Sequence, residues 1–228
     1  MKRFDAAWLF LLIAFASCEP SPEDDGFYVY SEVYDFKNGS NGWKGDFADY
    51  PEHDSLNYAL TVAYAALPTN PEGEKFLMLS GKNDCKDLFM FIKKKIRNLS
   101  ANAEYTISYE VGAASNAKYG YSNTGSEGIY LKVGAYASEP VKIIQDGFYR
   151  MNLDKGNHNT RGNDMVIIGT LGSLNQNDYS IETINNISLF KARTNQYGEL
   201  WLIIGADSGL SGINSVYFTR ISLVLTPG

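Results

Sequence analysis

The segment E-Y-T-I-S-Y-E-V-G-A-A, residues 104–114, decides the fold class of this chain. Apolar and polar side chains alternate along it, and a period of two places neighbouring residues on opposite faces of a β-strand. One face carries Tyr105, Ile107, Tyr109, Val111 and Ala113, and the other carries Thr106, Ser108 and Glu110. The first face is predicted to lie in an apolar core.

The same alternation recurs along most of the chain and is interrupted by segments rich in Gly, Asn, Ser and Pro, which favour turns. Further strands are predicted near residues 27–36, 58–65, 76–80, 88–98, 128–137, 141–151, 164–171, 187–194, 200–206 and 213–225. Helical spacing never extends beyond about two turns. The pattern predicts an all-β protein, an antiparallel two-sheet β-sandwich of the jelly-roll type.

The N-terminus has the order of features found in export signals. Lys2 and Arg3 precede an apolar run at residues 6–16, which ends in F-A-S-C at 15–18. The run is far shorter than the roughly 20 residues of a permanent membrane span. The segment around Cys18 resembles the lipobox of bacterial lipoproteins, which implies cleavage before Cys18 and acylation of that residue.

The resemblance sets the predicted domain organisation. Residues 1–17 are a lipoprotein signal peptide, residues 18–26 an acylated, flexible, acidic and Pro-rich tether, and residues 27–228 a single β-sandwich domain. The tether also resembles the acidic stretch that directs lipoproteins to the cell surface in some glycan-degrading Gram-negative bacteria. The expected location is the outer membrane, with a lipid anchor in the bilayer and the domain facing the cell exterior.

Charge and cysteine usage narrow the classes of function. Without the signal peptide the chain has 18 basic and 25 acidic residues, which disfavours nucleic acid as a partner. The basic run formed by Lys93, Lys94, Lys95 and Arg97 is predicted to be a solvated strand end. If Cys18 carries lipid, Cys85 has no intramolecular partner and is predicted to be a half-buried, unreactive loop thiol.

Two regions offer candidate ligand-binding residues. In the strand near 128–137, Tyr130, Lys132 and Tyr136 point away from the core on an exposed or concave surface, and Trp201 likewise leaves the apolar stripe of its strand. The polar connection 149–164 is unusually long and contains Arg150, Asp154 and Asn157, together with Lys155 and His158. Turn aromatics, Tyr119 and Tyr121 in particular, add a further candidate platform.

Three segments resemble the carbohydrate-binding modules of the galactose-binding-like jelly-roll superfamily. They are Y-D-F-K-N-G-S-N-G-W (34–43), I-R-N-L-S-A-N-A-E-Y-T-I-S-Y-E-V (96–111) and S-V-Y-F-T-R-I-S-L (215–223). The resemblance implies a non-catalytic glycan-binding domain with Trp43 in its core. Where such modules hold calcium through acidic residues, this chain has Lys37 and Thr219 or Arg220, so the family calcium site is expected to be absent. No cofactor is expected, and no metal-binding residue is assigned.

Other possibilities remain open. Asp35, Asp46 and Asp49 are an alternative set of calcium ligands. A glycosidase would need paired carboxylates, for which Glu110, Glu127 and Asp164 are available, but no motif pairs them and no enzyme activity is expected. The competing function is an adhesin or structural subunit of a surface protein complex, which would present a contiguous exposed apolar patch.

Overall fold

The computed structural model describes residues 29–85, 87–118, 128–173, 175, 177–186 and 190–228. The signal peptide, Cys18 and the tether lie outside these residues, as do Tyr119, Tyr121 and Glu127. The described part of the chain contains no helix long and apolar enough to span a membrane.

The described residues form 15 strands and two short 3₁₀ helices. The strands are β1 (Tyr30–Asp35), β2 (Lys44–Ala48), β3 (Tyr50–Pro51), β4 (Thr61–Ala66), β5 (Lys75–Asn83), β6 (Leu88–Ile96), β7 (Glu104–Ser115), β8 (Ile129–Tyr136), β9 (Lys142–Gln145), β10 (Phe148–Met151), β11 (Met165–Leu171), β12 (Glu182–Asn185), β13 (Phe190–Arg193), β14 (Leu200–Ser208) and β15 (Gly212–Pro227). The 3₁₀ helices are Phe36–Asn38 and Glu52–Asp54.

Two sheets form the sandwich, and every strand pair in them is antiparallel. In the first, called sheet A, the order is β12-β7-β15-β5-β4, with β13 also beside β7 and β1 beside β15. In the second, called sheet B, the order is β11-β8-β14-β6-β2. The predicted fold class, an all-β antiparallel jelly-roll sandwich, is confirmed.

The alternation of the sequence gives the core. Tyr105, Ile107, Tyr109 and Val111 of β7 are all buried between the sheets, as predicted. Trp43 is only 2% exposed and meets Tyr34 edge to face, with 5.7 Å between ring centroids. Burial of a Leu- or Phe-sized side chain stabilises a fold by about 1.5–3 kcal/mol, and many side chains of this size lie in the core.

A small third sheet covers part of the outer face of sheet B. Its order is β3-β10-β9, and the single strand predicted at 141–151 is in fact the hairpin of β9 and β10. Asp146 and Gly147 make the turn between them with φ of 51° and 77°. Two consecutive positive φ values match the twist of a two-residue hairpin, which explains why an Asp-Gly pair divides the strand.

The hairpin and the following loop, residues 152–164, pack on sheet B through a second apolar cluster. It consists of Ala48, Phe89, Phe91, Met151, Leu153, Met165 and Ile203. Phe89 lies across Gly205, where a Cβ atom would collide with its ring. The outer face of sheet B is thus largely covered.

Two smaller expectations are corrected. The basic run is a solvated strand end only at Arg97, whose side chain is 67% exposed, because Lys93 is 10% exposed and its ammonium group lies 2.8 Å from the carboxylate of Glu139. Cys85 is exposed rather than half-buried. Strands β2, β3 and β12 were not predicted. Apolar and polar residues do not alternate along β2 and β3, and β12 alternates over only four residues.

Candidate functional site

A pocket of about 560 Å³ opens where the hairpin turn and the 152–164 loop meet one end of sheet B. Its lining combines charged, amide and apolar groups: Asp49, Asp87, Gln145, Asp146, Arg150, Met151, Leu153, Asp154, Lys155, Gly156, Asn157, His158 and Gly209. This volume lies within the ~300–1,000 Å³ of small-ligand sites.

The loop that forms one wall is shaped by its own side chains. The Asp154 carboxylate accepts hydrogen bonds from the backbone N–H groups of Gly156 and Asn163, at 3.0 Å and 2.9 Å. Asp164 in turn accepts one from the backbone N–H of Asp154 at 2.8 Å. The backbone bonds hold the pKa of Asp154 below its ordinary value. A polar, Asn-rich stretch is ordered here because its short side chains satisfy the backbone locally.

A layer of buried charges lies beneath the loop. Oδ2 of Asp207, on β14, is 2.9 Å from Nζ of Lys132 on β8 and 2.7 Å from Nζ of Lys155 in the loop. Lys155 also lies 2.7 Å from Oδ2 of Asp49. Lys132 further donates to the backbone carbonyls of Lys155 and Asn157, at 3.1 Å and 2.6 Å. The layer therefore ties the pocket wall to the sheet.

Ionisation in this layer follows from its geometry. Burial opposes the charged form of Asp207, but His158 and the two ammonium groups outweigh it and lower the pKa of Asp207 from 3.8 to about 2. Burial likewise disfavours charged Lys155, yet Asp207 and Asp49 raise its pKa above the ordinary value. Lys132 shares one carboxylate with Lys155, and burial lowers its pKa.

Arg150 and His158 complete the pocket wall. Nη1 of Arg150 bridges Asp49 and Asp87, at 2.8 Å and 3.0 Å. The pKa of Asp87 is raised, first by burial and then by the nearby charge of Asp49. The His158 ring meets Tyr130 edge to face at 4.7 Å, and its Nδ1 lies 3.4 Å from Oδ1 of Asp207.

The structure brings together several of the residues selected from sequence. Arg150, Asp154 and Asn157 all line the pocket, and Tyr130 packs behind His158. The expectation that Lys132 is accessible is corrected: it points away from the core as predicted but is 0% exposed, because the loop covers it and Asp207 binds its ammonium group. Tyr119 and Tyr121 lie outside the described residues.

Tyr136 and Trp201 sit at the other end of the same face. They are paired across β8 and β14, and both are partly exposed. The ammonium groups of Lys93 and Lys95 lie 5.6 Å and 5.3 Å from the centroid of the Trp201 ring, within cation–π distance. The two aromatic residues do not line the pocket.

The acidic residues of the pocket were predicted only in part: Asp154 was named as a ligand-binding residue and Asp49 as a possible calcium ligand, whereas Asp87, Asp146 and Asp207 were not named. Asp49 directly follows β2, Asp87 directly precedes β6 and Asp207 lies near the end of β14. These strands are far apart in sequence, so only the sheet order brings the three carboxylates together. A usable signal did exist at Asp207, a carboxylate at the end of a predicted apolar strand. Connecting it with Lys132 required the β8–β14 register.

Three neighbouring carboxylates could in principle also bind a metal ion. Oxygen atoms of Asp49, Asp87 and Asp207 lie within 4.8 Å of one another, but Lys155 and Arg150 already contact them. Their positive charges supply the neutralisation that a cation would otherwise provide.

The alternative calcium set does not come together. Asp35 accepts a hydrogen bond from the backbone N–H of Lys37 at the start of a 3₁₀ helix, whereas Asp46 pairs with Lys142 at 2.9 Å. Asp49 belongs to the buried charge layer. The three residues thus have separate partners in the described structure.

The carboxylates considered for catalysis are likewise separated. Glu110 lies on the outer face of sheet A, 2.8 Å from Arg220, whereas Asp164 belongs to the loop outside sheet B. Glu127 lies outside the described residues. The sandwich therefore stands between Glu110 and Asp164.

Comparison with known proteins gives matches among solved structures only. No protein-family model and no curated protein sequence matches this chain. TmCBM61 in complex with β-1,4-galactotriose matches with 13% identity over 83% of this chain and 92% of its own, at a TM-score of 0.38. The xylan-binding domain from CBM 22 matches with 11% identity over 90% and 97%, at a TM-score of 0.39.

An adhesin domain gives a match of similar quality. The K3 adhesin domain of Lys-gingipain from Porphyromonas gingivalis matches with 9% identity over 88% of this chain and 100% of its own, at a TM-score of 0.39. At these scores the likeness concerns general architecture, and no assignment of function follows from it.

Proposed function

We propose that this protein is a lipid-anchored, surface-exposed lipoprotein whose β-sandwich domain binds a glycan without cleaving it. The observation that carries the proposal is the pocket on the outer face of sheet B, where hydrogen-bonding side chains and the apolar Met151 and Leu153 line the same recess. Small-ligand sites generally combine such an apolar surface with a few placed polar groups.

The chemistry of a sugar fits this lining. A pyranose ring has apolar C–H faces and a rim of hydroxyl groups, so it needs an apolar contact and both donors and acceptors of hydrogen bonds. Asn157 and Gln145 offer both, and Asp87 and Asp154 offer acceptors. The loop that carries Asn157 is held by the buried charge layer. Binding there would cost little conformational entropy.

The alternative is that the pocket cleaves the glycan, and the binding experiment below also tests it. Glycosidases rely on two carboxyl groups whose pKa values are displaced in opposite directions. Asp87 and Asp154 show such a displacement, upward and downward respectively. Asp87 is nevertheless bound to Arg150, and a general acid would need to be protonated. We therefore expect binding without release of reducing ends.

The test is binding of the soluble domain, from Gly26 onward, to plant, host and microbial glycans, with a reducing-sugar assay on every ligand found. Asn157→Ala should weaken binding by at least about tenfold, the loss of roughly 1.4 kcal/mol from a central polar contact. Tyr197→Ala is the matched control, because Tyr197 is 73% exposed in a turn outside the pocket.

Three outcomes decide the proposal. Specific binding that Asn157→Ala weakens and Tyr197→Ala leaves within about twofold supports it. Loss of binding in Trp201→Ala and Tyr136→Ala alone would move the site to the other end of sheet B. No binding to any glycan by a folded domain would refute the glycan proposal.

A second candidate, binding to another surface protein, is favoured by one feature. Strand β9 is an edge strand of the small sheet, and Val141, Ile143 and Ile144 beside and within it are 36%, 43% and 57% exposed. Exposed apolar edges are sites for pairing with another chain. Ile144→Lys should abolish capture of a protein partner in crosslinking on whole cells while leaving glycan binding intact.

A further inference from the structure

We infer that the pocket selects saccharides without acidic groups and that a free amino group on the sugar strengthens binding. The inference rests on the proposed glycan-binding function and specifies the ligand of the same site. It follows from which hydrogen-bonding and charged groups of the pocket are already engaged and which are still available.

The cations of the pocket are engaged. Lys155 is bound between Asp207 and Asp49, at 2.7 Å from each. Arg150 bridges Asp49 and Asp87. A ligand carboxylate or sulfate would therefore meet cations whose charge two protein carboxylates each already compensate, so it would gain little from them.

The acceptors of the pocket are available. Asp146 is exposed at the tip of the hairpin, and in the described structure its carboxylate makes no hydrogen bond or ion pair. Asp87 contacts a cation through one oxygen only, and Asp154 is exposed although its oxygens accept two backbone bonds. The available groups therefore favour a ligand that donates hydrogen bonds.

His158 adds an acceptor of a different kind. Its Nδ1 faces Asp207, whose carboxylate can only accept, so in the neutral ring Nδ1 carries the proton and Nε2 is the acceptor. That Nε2 is buried and has no hydrogen-bond partner among the described residues. A buried acceptor without a partner is costly, and His158 lines the pocket, so a hydroxyl or ammonium donor of a ligand that reached Nε2 would relieve that cost.

The net charge of the pocket also favours a ligand with a positive charge. The wall and the layer behind it carry five carboxylates, Asp49, Asp87, Asp146, Asp154 and Asp207, against the three cations Arg150, Lys155 and Lys132. A recess of net negative charge repels anions and attracts cations. An amino sugar brings both the extra donors and the positive charge.

The experiment compares sugars that differ in one group. The purified full-length protein is titrated calorimetrically with glucosamine, glucose and glucuronate, with the galactose series, and with oligosaccharides of whichever linkage the glycan array identifies. Amino sugars should bind at least about threefold more tightly than neutral ones, with the advantage lost in high salt. Uronates should bind at least about tenfold more weakly than neutral sugars.

Two variants test the assigned groups. Asp146→Asn should reduce the advantage of amino sugars and leave the affinity for neutral sugars unchanged. The variant should fold normally, because Asn tolerates the φ of 51° at this turn. Asp87→Asn should improve binding of uronates, because Arg150 loses one of its two carboxylates. Glu72 is exposed in the turn between β4 and β5, so Glu72→Gln is the matched control. It should change neither the advantage of amino sugars nor the binding of uronates.

The results separate this inference from the function on which it rests. Uronates that bind as tightly as neutral sugars, or amino sugars without any advantage, would refute the inference and leave glycan binding in place. If no saccharide binds, the proposed function fails and the inference falls with it.

Discussion

At the scale of single residues, Asp207 carries a fully buried carboxylate. Its side chain is 0% exposed, and its two oxygens face Lys132, Lys155 and His158. Buried charges are tolerated only when they are paired, and removal of one partner leaves the others without compensation. The stability of the pocket wall therefore depends on this carboxylate.

Substitution of Asp207 tests this dependence. Asp207→Asn keeps the size of the side chain but removes its charge, so two buried ammonium groups lose their shared partner. We expect the free energy of unfolding to fall by about 3–5 kcal/mol in urea titrations. Asp178→Asn, at an exposed carboxylate bound to two serine hydroxyls, should cost less than about 1 kcal/mol. A loss at Asp207 no larger than at Asp178 would contradict the proposed role.

The dependence of stability on pH follows from the same residue. The folded-state pKa of Asp207, about 2, lies below its ordinary value of 3.8. Its charge therefore contributes about 2 kcal/mol of stability that is fully present above pH ~4 and is lost as the pH falls toward ~2. In urea titrations, the difference between the native chain and Asp207→Asn should be constant above pH ~4 and narrow below it. If the stability difference between the native chain and Asp207→Asn grew on acidification, the predicted lowering of the Asp207 pKa by folding would be wrong.

At the scale of elements, the β9–β10 hairpin and the loop after it decide where a ligand could bind. They place Met151 and Leu153 against sheet B and hold Asp146 and Arg150 at the pocket rim. The hairpin depends on a turn with two positive φ values. Its geometry is therefore sensitive to a change at Gly147.

A substitution at the turn isolates the backbone contribution. A Cβ at Gly147 would have no atom within 4 Å, so Gly147→Ala should cost only the strain of a left-handed residue, about 1–2 kcal/mol. We expect that loss in unfolding experiments and faster amide hydrogen exchange in β9 and β10. Gly128→Ala, where φ is not positive and the nearest atom is 3.8 Å from the Cβ, should be neutral or slightly stabilising. Equal losses of stability at both glycines would contradict the assignment of the Gly147→Ala loss to left-handed backbone strain.

At the scale of the whole molecule, the chain combines one sandwich with an N-terminal segment that resembles a lipoprotein signal. The apolar core between the sheets holds the domain, and the described residues contain one cysteine, Cys85, which is unpaired. The proposed attachment to the membrane thus depends on Cys18 and is separate from folding.

The anchor is tested by Cys18→Ala. We expect the native chain in the outer-membrane fraction and the variant in the soluble fraction, because acyl chains supply the membrane affinity. Cys85→Ala is the control and should leave the protein in the membrane. Surface exposure is read separately from protease digestion of intact cells. A Cys18→Ala protein that remains in the membrane fraction would refute the lipid anchor.

The sequence by itself determined the layers of the fold and the faces of several strands. A period of two depends only on chain geometry, so the buried face of β7 and the outward direction of Lys132 were readable locally, whereas the core position of Trp43 was predicted from the family resemblance. The polar composition of the 149–164 connection also indicated the candidate site, and Arg150, Asp154 and Asn157 do line the pocket.

The tertiary structure alone decided what those residues contact. Lys132 and Asp207 are 75 positions apart in sequence, and their ion pair exists because β8 lies beside β14 in one particular register. The same holds for Asp49, Arg150 and Asp87, which meet where strand β10 and two connections come together at one end of sheet B. Local sequence constrains the direction of a side chain, whereas the order and register of strands arise from packing of the whole chain, and the pocket is a product of that packing.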